Sequence, residues 1–234
     1  MNDTWQQKIG IIVPSWNTVM EYETQRLAGP GASVHAMRIA HTADTEEKLM
    51  GLSVQAPAAA QLLAHAKVQV IGYGCTASGF LHTPAEDRAL AERIAAETGI
   101  PCATSSRAIV DGLRALGVSR LSLASPYAPW LNARLKHYLS ADGFEVLAMQ
   151  GLDTEAHSTI TRERILALVD DVMRPQSEAI FISCSNFRTL EIIDTVERQY
   201  GVPVVTSNAS MMWQMLRLMN DRRDVAGAGR LFKR

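Results

Sequence analysis

Short apolar runs alternate with longer amphipathic stretches along the chain. Eight runs read as strands: Ile9–Val13, Ser33–Arg38, Val68–Gly72, Cys102–Ala103, Leu121–Ala124, Glu145–Gln150, Ala179–Ser183 and Val204–Val205. Ala179-Ile180-Phe181-Ile182 is apolar at every position rather than at alternate ones, which suits a strand covered on both faces. Between the runs, apolar residues recur three and four apart, as at Ile109, Leu113 and Leu116, and again at Leu166, Val169 and Met173. That is the spacing of one helix face. Strand–helix alternation predicts an α/β fold with parallel sheets flanked by helices. Thr83-Pro84-Ala85-Glu86 reads as a capping box, with Thr83 at the cap, Pro84 at the first helical position and Glu86 reaching back. Asp44-Thr45-Glu46-Glu47 is expected to open a helix in the same way, from Asp44. Gly99 and Gly201 each close a helix and precede an apolar residue and a proline.

The two glycines expose an internal repeat. Gly99-Ile100-Pro101-Cys102-Ala103-Thr104-Ser105 matches Gly201-Val202-Pro203-Val204-Val205-Thr206-Ser207. Upstream, Val70-Ile71-Gly72-Tyr73-Gly74-Cys75-Thr76 matches Ala179-Ile180-Phe181-Ile182-Ser183-Cys184-Ser185, and Ile11-Ile12-Val13-Pro14-Ser15 parallels Ser122-Leu123-Ala124-Ser125-Pro126. Three matches in the same order predict two similar Rossmann-like halves, 1–112 and 113–220, related by a pseudo-twofold axis. Each half would be a four-stranded parallel sheet flanked by helices. The tail 221–234, with Gly227, Gly229 and several basic residues, is expected to fray as a loosely ordered terminus, or else to pack on a neighbour.

Composition narrows the function. The 23 basic and 24 acidic residues nearly cancel, which argues against a nucleic-acid partner because such proteins carry a basic excess. No stretch approaches the ~20 apolar residues of a spanning helix, so no membrane partner is expected. Met1–Gln7 is polar and lacks an apolar signal core, which points to the cytoplasm. Cys75, Cys102 and Cys184 are too few for a disulfide framework, and none sits in a C-x-x-C or zinc-finger spacing, so no metal is expected. There is no Gly-x-Gly-x-x-Gly after the first strand and no P-loop; Gly72-Tyr73-Gly74 lacks the third glycine. No cofactor is therefore expected.

The repeat places Cys75 and Cys184 at equivalent positions, each where a buried strand ends. Parallel α/β sheets bind ligands outside the carboxyl ends of their strands. Two thiols facing one cleft supply an acid and a base, or a nucleophile and a proton donor. A helix N-terminus beside each is expected to lower its pKa. Cys102 aligns with Val204 and reads as a small core residue. The loops Pro14-Ser15-Trp16-Asn17-Thr18, Ser125-Pro126-Tyr127, Thr76-Ala77-Ser78 and Ser185-Asn186-Phe187 offer hydroxyls and backbone N–H groups that can hold a carboxylate without arginine. Ser, Thr and Asn also simply cap helices. His157, after a strand and before a helix, can reach the cleft. His35, His65 and His137 read as packing or surface residues, Met211-Met212-Trp213 and Met215 as core, and Arg188 as a substrate neutraliser or a solvated charge.

These stretches resemble the aspartate/glutamate racemase superfamily, and within it the maleate cis–trans isomerase and arylmalonate decarboxylase branch. The resemblance rests on Ile11 to Thr18, Gly74-Cys75-Thr76-Ala77-Ser78, Ser125-Pro126-Tyr127, Ile182 to Thr189, and Val202 to Asn208 with Trp213. It implies a cofactor-independent site between two α/β halves. Cys75 would add to the alkene of maleate, giving a covalent succinyl-type intermediate that rotates about its new single bond and eliminates fumarate. Cys184 would be the proton donor or base. Pro14, Asn17, Thr76, Ala77, Tyr127, His157 and Ser185 would contact the substrate, through side chains or backbone N–H groups. The resemblance also implies a homo-oligomer, dimer or tetramer. Decarboxylases of the branch carry glycine at the position of Cys75, whereas racemases use two thiols. The alternatives are thus a racemase or decarboxylase of an amino acid, hydantoin or substituted malonate, or a non-catalytic small-acid binding protein of the same fold. Two residues depart from the isomerase pattern: Trp16 stands where a small residue is usual, and His157 stands near the position of a carboxylate-gripping asparagine.

Overall fold

The computed structural model describes residues 6–234; most of the polar start Met1–Gln7, on which the signal-sequence reading rests, lies outside the described residues. The first sheet contains β1 (Gln7–Pro14), β2 (Ala32–Ile39), β3 (Val70–Tyr73) and β4 (Cys102–Thr104). The second contains β5 (Arg120–Ser125), β6 (Glu145–Gly151), β7 (Ala179–Ile182) and β8 (Val204–Thr206). Both are wholly parallel, with orders β2-β1-β3-β4 and β6-β5-β7-β8. The same order twice is what the sequence repeat predicts, and each of the eight expected runs is a strand. β3 and β7 are buried along their whole length, as their unbroken apolar character requires.

Helices α1 (Met20–Ala28), α2 (Glu46–His65), α3 (Thr76–Leu81), α4 (Pro84–Thr98) and α5 (Ser105–Ala115) belong to the first half of the chain. In the second lie α6 (Pro129–Ala141), α7 (Arg162–Val172), α8 (Ile193–Tyr200) and α9 (Ser207–Leu218). The Thr83 capping box forms as read: the Glu86 N–H donates to Thr83 Oγ1 at 3.2 Å and the Thr83 N–H donates to Glu86 Oε2 at 2.8 Å. The second expected box does not form. Thr45, not Asp44, caps α2, accepting from the Lys48 N–H at 3.3 Å, because Asp44 lies one residue outside the helix and turns elsewhere. Among the described residues, no helix is long and apolar enough to cross a membrane.

Crossing helices lock the sheets together. The helix that ends each repeat crosses to the other half: α9 packs on β3 and β4, α5 meets β8, and α5 packs along α9. Gln214 Nε2 donates to Asp111 Oδ2 at 2.7 Å across this contact. Met211, Met212 and Met215 are fully buried there, as core. The tail is also ordered, contrary to expectation. Residues Arg230–Lys233 form a short 3₁₀ turn with Leu231 and Phe232 buried, and buried Glu197 accepts from the backbone N–H of Arg230 at 2.9 Å and of Val204 at 3.0 Å. Two apolar anchors outweigh the glycines and charges that made the segment look frayed.

Gly72 sits where α9 presses closest on the first sheet. A Cβ there would lie 2.7 Å from Met215 Sδ and 3.0 Å from Met211 Sδ. The flexible thioethers can yield to one methyl but not to a branched side chain. Gly72→Val is expected to cost about 1–3 kcal/mol, and Gly72→Ala less, by urea denaturation.

Candidate active site

Cys75 and Cys184 end equivalent strands yet are held differently. Cys75 caps α3, and its Sγ accepts from the Ser78 N–H at 3.4 Å. Cys184 follows β7 in a tight turn with φ +105°, a region that favours glycine. Its N–H donates to Ser207 Oγ at 3.0 Å and its Sγ accepts from the Asn186 N–H at 3.4 Å. Both thiols line one cleft at the carboxyl ends of the two sheets, together with Pro14, Asn17, Thr76, Ala77, Tyr127, His157 and Ser185. Every substrate-contact candidate read from the sequence therefore comes to one place. Cys102 does not: it is part-buried on the edge strand β4, facing a separate surface groove, rather than a fully buried core residue. Arg188 is exposed and pairs with Glu191 at 3.4 Å, the solvated-charge reading.

The acidity of the thiols is the reverse of the expectation. Burial pushes the Cys75 thiol up to about 12, against the smaller downward pull of the Ser78 and Ala77 N–H groups. Burial likewise pushes Cys184 up, opposed by the Asn186 N–H and the Tyr127 hydroxyl and reinforced by Asp44 and Cys75. A helix N-terminus offers a few partial charges, whereas removal of a thiolate from water acts on its whole charge. Both sulfurs therefore rest as thiols.

Hydrogen bonds across the two halves set the cleft's shape. Asn17 Nδ2 donates to Ser185 Oγ at 3.0 Å, while Asn17 Oδ1 accepts from the Val19 and Met20 N–H groups at the start of α1. Asn17 is thus both a helix-end acceptor and a cleft residue. The Thr18 N–H donates to Asn186 Oδ1 at 3.0 Å. Glu23, buried on α1, accepts from the Thr189 and Leu190 N–H groups at 2.8 Å each and from Asn208 Nδ2 at 2.7 Å. Burial raises its pKa, and these three donors oppose the rise. Thr76 Oγ1 and His41 Nδ1 are buried in the cleft without a hydrogen-bond partner among the described residues, and so are free to meet a ligand.

Sequence reasoning missed His41, Asp44 and Leu49, which line the cleft, whereas Asn186 lies there in a loop that it had singled out. Asp44 Oδ1 lies 3.0 Å from His41 Nε2, and Asp44 Oδ2 lies 3.7 Å from His157 Nε2. His157 Nδ1 in turn is 3.5 Å from Cys184 Sγ. The Trp16 ring meets the edges of His41 (centroids 4.6 Å apart) and His157 (5.9 Å). The signal for His41 and Asp44 was their place after β2, at the ligand-binding end of the sheet; helix-start chemistry masked it. The inner cleft encloses about 20 Å³, room for roughly one water. Past Asp44, Tyr127 and His157 it adjoins an outer basin of about 190 Å³. Among the described residues, no cluster of three His, Cys, Asp or Glu is placed to hold a metal ion.

Comparison with known proteins agrees with this arrangement. A family model described as arylmalonate decarboxylase matches residues 9–232. The chain is 30% identical to the maleate isomerase of Nocardia farcinica over 97% of its own length and 96% of that protein. It is 36% identical to the arylmalonate decarboxylase of Bordetella bronchiseptica over 67% of this chain and 68% of that one. A solved structure of a Nocardia farcinica maleate cis–trans isomerase mutant with covalently bound succinylcysteine superposes with TM-score 0.92 at 27% identity, covering 97% of this chain and 98% of that chain. The chain belongs to the arylmalonate decarboxylase family, in the branch that also holds the maleate isomerases.

The backbone at Cys184 is strained for any residue with a Cβ, at a cost of order 1–3 kcal/mol. Cys184→Gly is expected to be about 1 kcal/mol more stable than Cys184→Ala in urea unfolding, although both lack the thiol. Equal stabilities would show the turn to be unstrained.

Proposed function

We propose that this member of the arylmalonate decarboxylase family is a cofactor-independent cis–trans isomerase of a small cis-dicarboxylate, most simply maleate to fumarate. The observation that carries the reading is the second thiol. Cys75 lines the same buried cleft as Cys184, at the position where decarboxylases of the branch resembled carry glycine. One thiol suffices to protonate a carbanion, whereas addition and elimination at an alkene need a nucleophile as well.

Cys75, as thiolate, forms a bond from sulfur to one alkene carbon. The π electron pair moves to the neighbouring carbon and its carboxylate, and the Cys184 thiol delivers its proton to that carbon. The product is a succinyl thioether on Cys75, whose central bond is single and rotates. After rotation the Cys184 thiolate removes a proton from the same carbon, the π bond re-forms in the trans geometry, and the Cys75 thiolate departs. The enolate charge builds up on a carboxylate, so preorganised donors lower the barrier. Thr76 Oγ1, unpartnered in the cleft among the described residues, supplies one; Asn17, the Tyr127 hydroxyl and the N–H groups at Ala77 and Ser185 supply others. The succinylcysteine in the Nocardia relative supports the covalent step. The inner cleft is smaller than maleate, so binding requires side chains to move, and the Trp16 indole is the largest of those lining it. We further propose a cytoplasmic location and a homo-oligomer, dimer or tetramer.

A second reading, racemase of an amino acid, is favoured by one observation: Asp44 places a carboxylate in the cleft, where it could pair with a substrate ammonium. One experiment separates the two. Proton NMR of the protein with maleate in deuterated buffer, without added cofactor, is expected to show the fumarate signal growing. Cys75→Ala should lower the rate at least ~10³-fold, the scale on which losing a reacting group acts. Unchanged maleate, with the α-proton of an amino acid washed out instead, would overturn the isomerase in favour of the racemase.

A further inference from the structure

We infer that Asp44, His157 and Cys184 form a proton relay across the two halves, in which His157 stores the proton that a two-thiol site must shed and Asp44 positions its ring. The use of the relay in turnover rests on the isomerase reading; its existence does not.

Addition to an alkene needs one thiolate and one thiol, whereas both sulfurs here rest protonated. One proton therefore needs an acceptor that touches a sulfur. The side-chain contact of Cys75 among the described residues is with the Ser78 N–H, a donor. Cys184 meets the Asn186 N–H and the Tyr127 hydroxyl, both donors, and the ring nitrogen His157 Nδ1 at 3.5 Å, which accepts when the ring hydrogen is on Nε2. His157 is buried on the 3₁₀ turn His157–Thr159, and its far nitrogen Nε2 faces Asp44 Oδ2 at 3.7 Å. A carboxylate on that side favours the tautomer with hydrogen on Nε2, which leaves the Nδ1 lone pair for the thiol. His41, at 3.0 Å from Asp44 Oδ1, fixes the carboxylate in turn. Asp44 reaches the site from the loop between β2 and α2, whereas His157 follows β6, so the relay exists only when the two halves are docked.

The titratable groups facing His157 are Asp44 and His41 from the β2–α2 loop, Glu155 from its own loop, Tyr127 from the loop before α6, and Cys184. Burial lowers the pKa of His157, while Asp44, the Thr154 carbonyl and Glu155 raise it against that pull. Burial thus resists either charge alone. Moving a proton from thiol to imidazole creates a neutral pair of charges in contact, and Asp44, against the far nitrogen of the ring, favours the cation more than it opposes the thiolate beyond it.

The proton balance is simple. The Cys184 S–H bond breaks with its electron pair left on sulfur, and an N–H bond forms at His157 Nδ1. The Cys184 thiolate then takes the proton of Cys75 across the shared cleft. What remains is the Cys75 thiolate, the Cys184 thiol and the His157 imidazolium beside Asp44, the state that addition requires. The imidazolium also offsets Asp44, which would otherwise repel a dianionic substrate. His157 touches a reacting atom; Asp44 is a positioning residue.

The test needs no substrate. The full chain is alkylated with iodoacetamide across a pH series, and modification of each cysteine is followed by peptide mass spectrometry, with Cys102 outside the cleft as internal reference. In the native protein, Cys184 should react at neutral pH with a rate that follows ionisation of the thiol–imidazole pair, and Cys75, to which the negative charge passes, should follow the same profile. Asp44→Asn should slow Cys184 about tenfold or more at pH 7, one pH unit in its ionisation. His157→Gln should abolish the neutral-pH reactivity and leave only an alkaline rise, and Asp44→Glu should restore part of the native rate. Cys102 should react alike in all. A native rate and pH profile for Cys184 in both Asp44→Asn and His157→Gln would overturn the relay. The ¹⁵N shifts of the His157 ring in the unsubstituted protein give a second reading: hydrogen on Nε2 supports the proposal and hydrogen on Nδ1 refutes it. If maleate is not turned over while these profiles hold, the isomerase reading falls and the relay stands.

Discussion

Two thiols can act on one small molecule only if the halves that carry them keep a fixed register, and that register depends on buried Glu23. Its carboxylate leaves α1 of the first half and takes three donors from the second: the Thr189 and Leu190 N–H groups and Asn208 Nδ2. Asn208 Nδ2 also donates to the Ser185 carbonyl at 3.0 Å, so the loop after Cys184 is held from both sides. A buried carboxylate is costly unless its lone pairs are met. Here they are met only in the docked arrangement, so misplacing the halves would strand a carboxylate and two backbone donors together. The crossing of α9 over β3 and β4 adds apolar area to the same junction. Asn17–Ser185 and Thr18–Asn186 extend the polar seam to the rim of the cleft.

The site this creates is buried and short of fixed cations. The inner cleft is lined by neither arginine nor lysine, and its one carboxylate is shared between two histidines. Anion binding there falls to N–H and hydroxyl dipoles, which gain strength in a low-dielectric pocket. The same burial keeps both thiols protonated. Binding of an anion and generation of a thiolate therefore compete for the same few donors. A proton store next to Cys184 eases that competition, because the charge left behind on His157 is positive.

Much of this was legible in the sequence. Unbroken apolar runs such as Ala179–Ile182 mark buried parallel strands, and the matched Gly-x-Pro segments reveal the duplication that puts Cys75 and Cys184 at equivalent strand ends. Residues on loops next to those strand ends followed from the topology rule alone. What was not legible is what depends on distance between halves. Asp44 has the composition of a helix start, and only the fold shows that Thr45 takes the cap while Asp44 turns to His41 and His157. Glu23 and Asn208 lie far apart in sequence and meet only in the folded chain. The thiol acidities were misjudged for a related reason: a helix N-terminus is local and visible, whereas the burial that outweighs it is not. At the tail, Leu231 and Phe232 were a weak apolar signal among glycines and charges, and the grip of Glu197 on the Arg230 N–H was beyond reach.

The central claim is that Cys75 attacks carbon while Cys184 handles the proton. It is tested most directly by intact-protein and peptide mass spectrometry of Cys184→Ala incubated with maleate. The account predicts a stable adduct of one maleate per chain, formed slowly because Cys184 no longer takes the Cys75 proton or protonates carbon, confined to the peptide bearing Cys75 and absent from the Cys75→Ala protein. An adduct on Cys184 in the Cys75→Ala protein, with none on Cys75 in Cys184→Ala, would reverse the roles of the two thiols and contradict it.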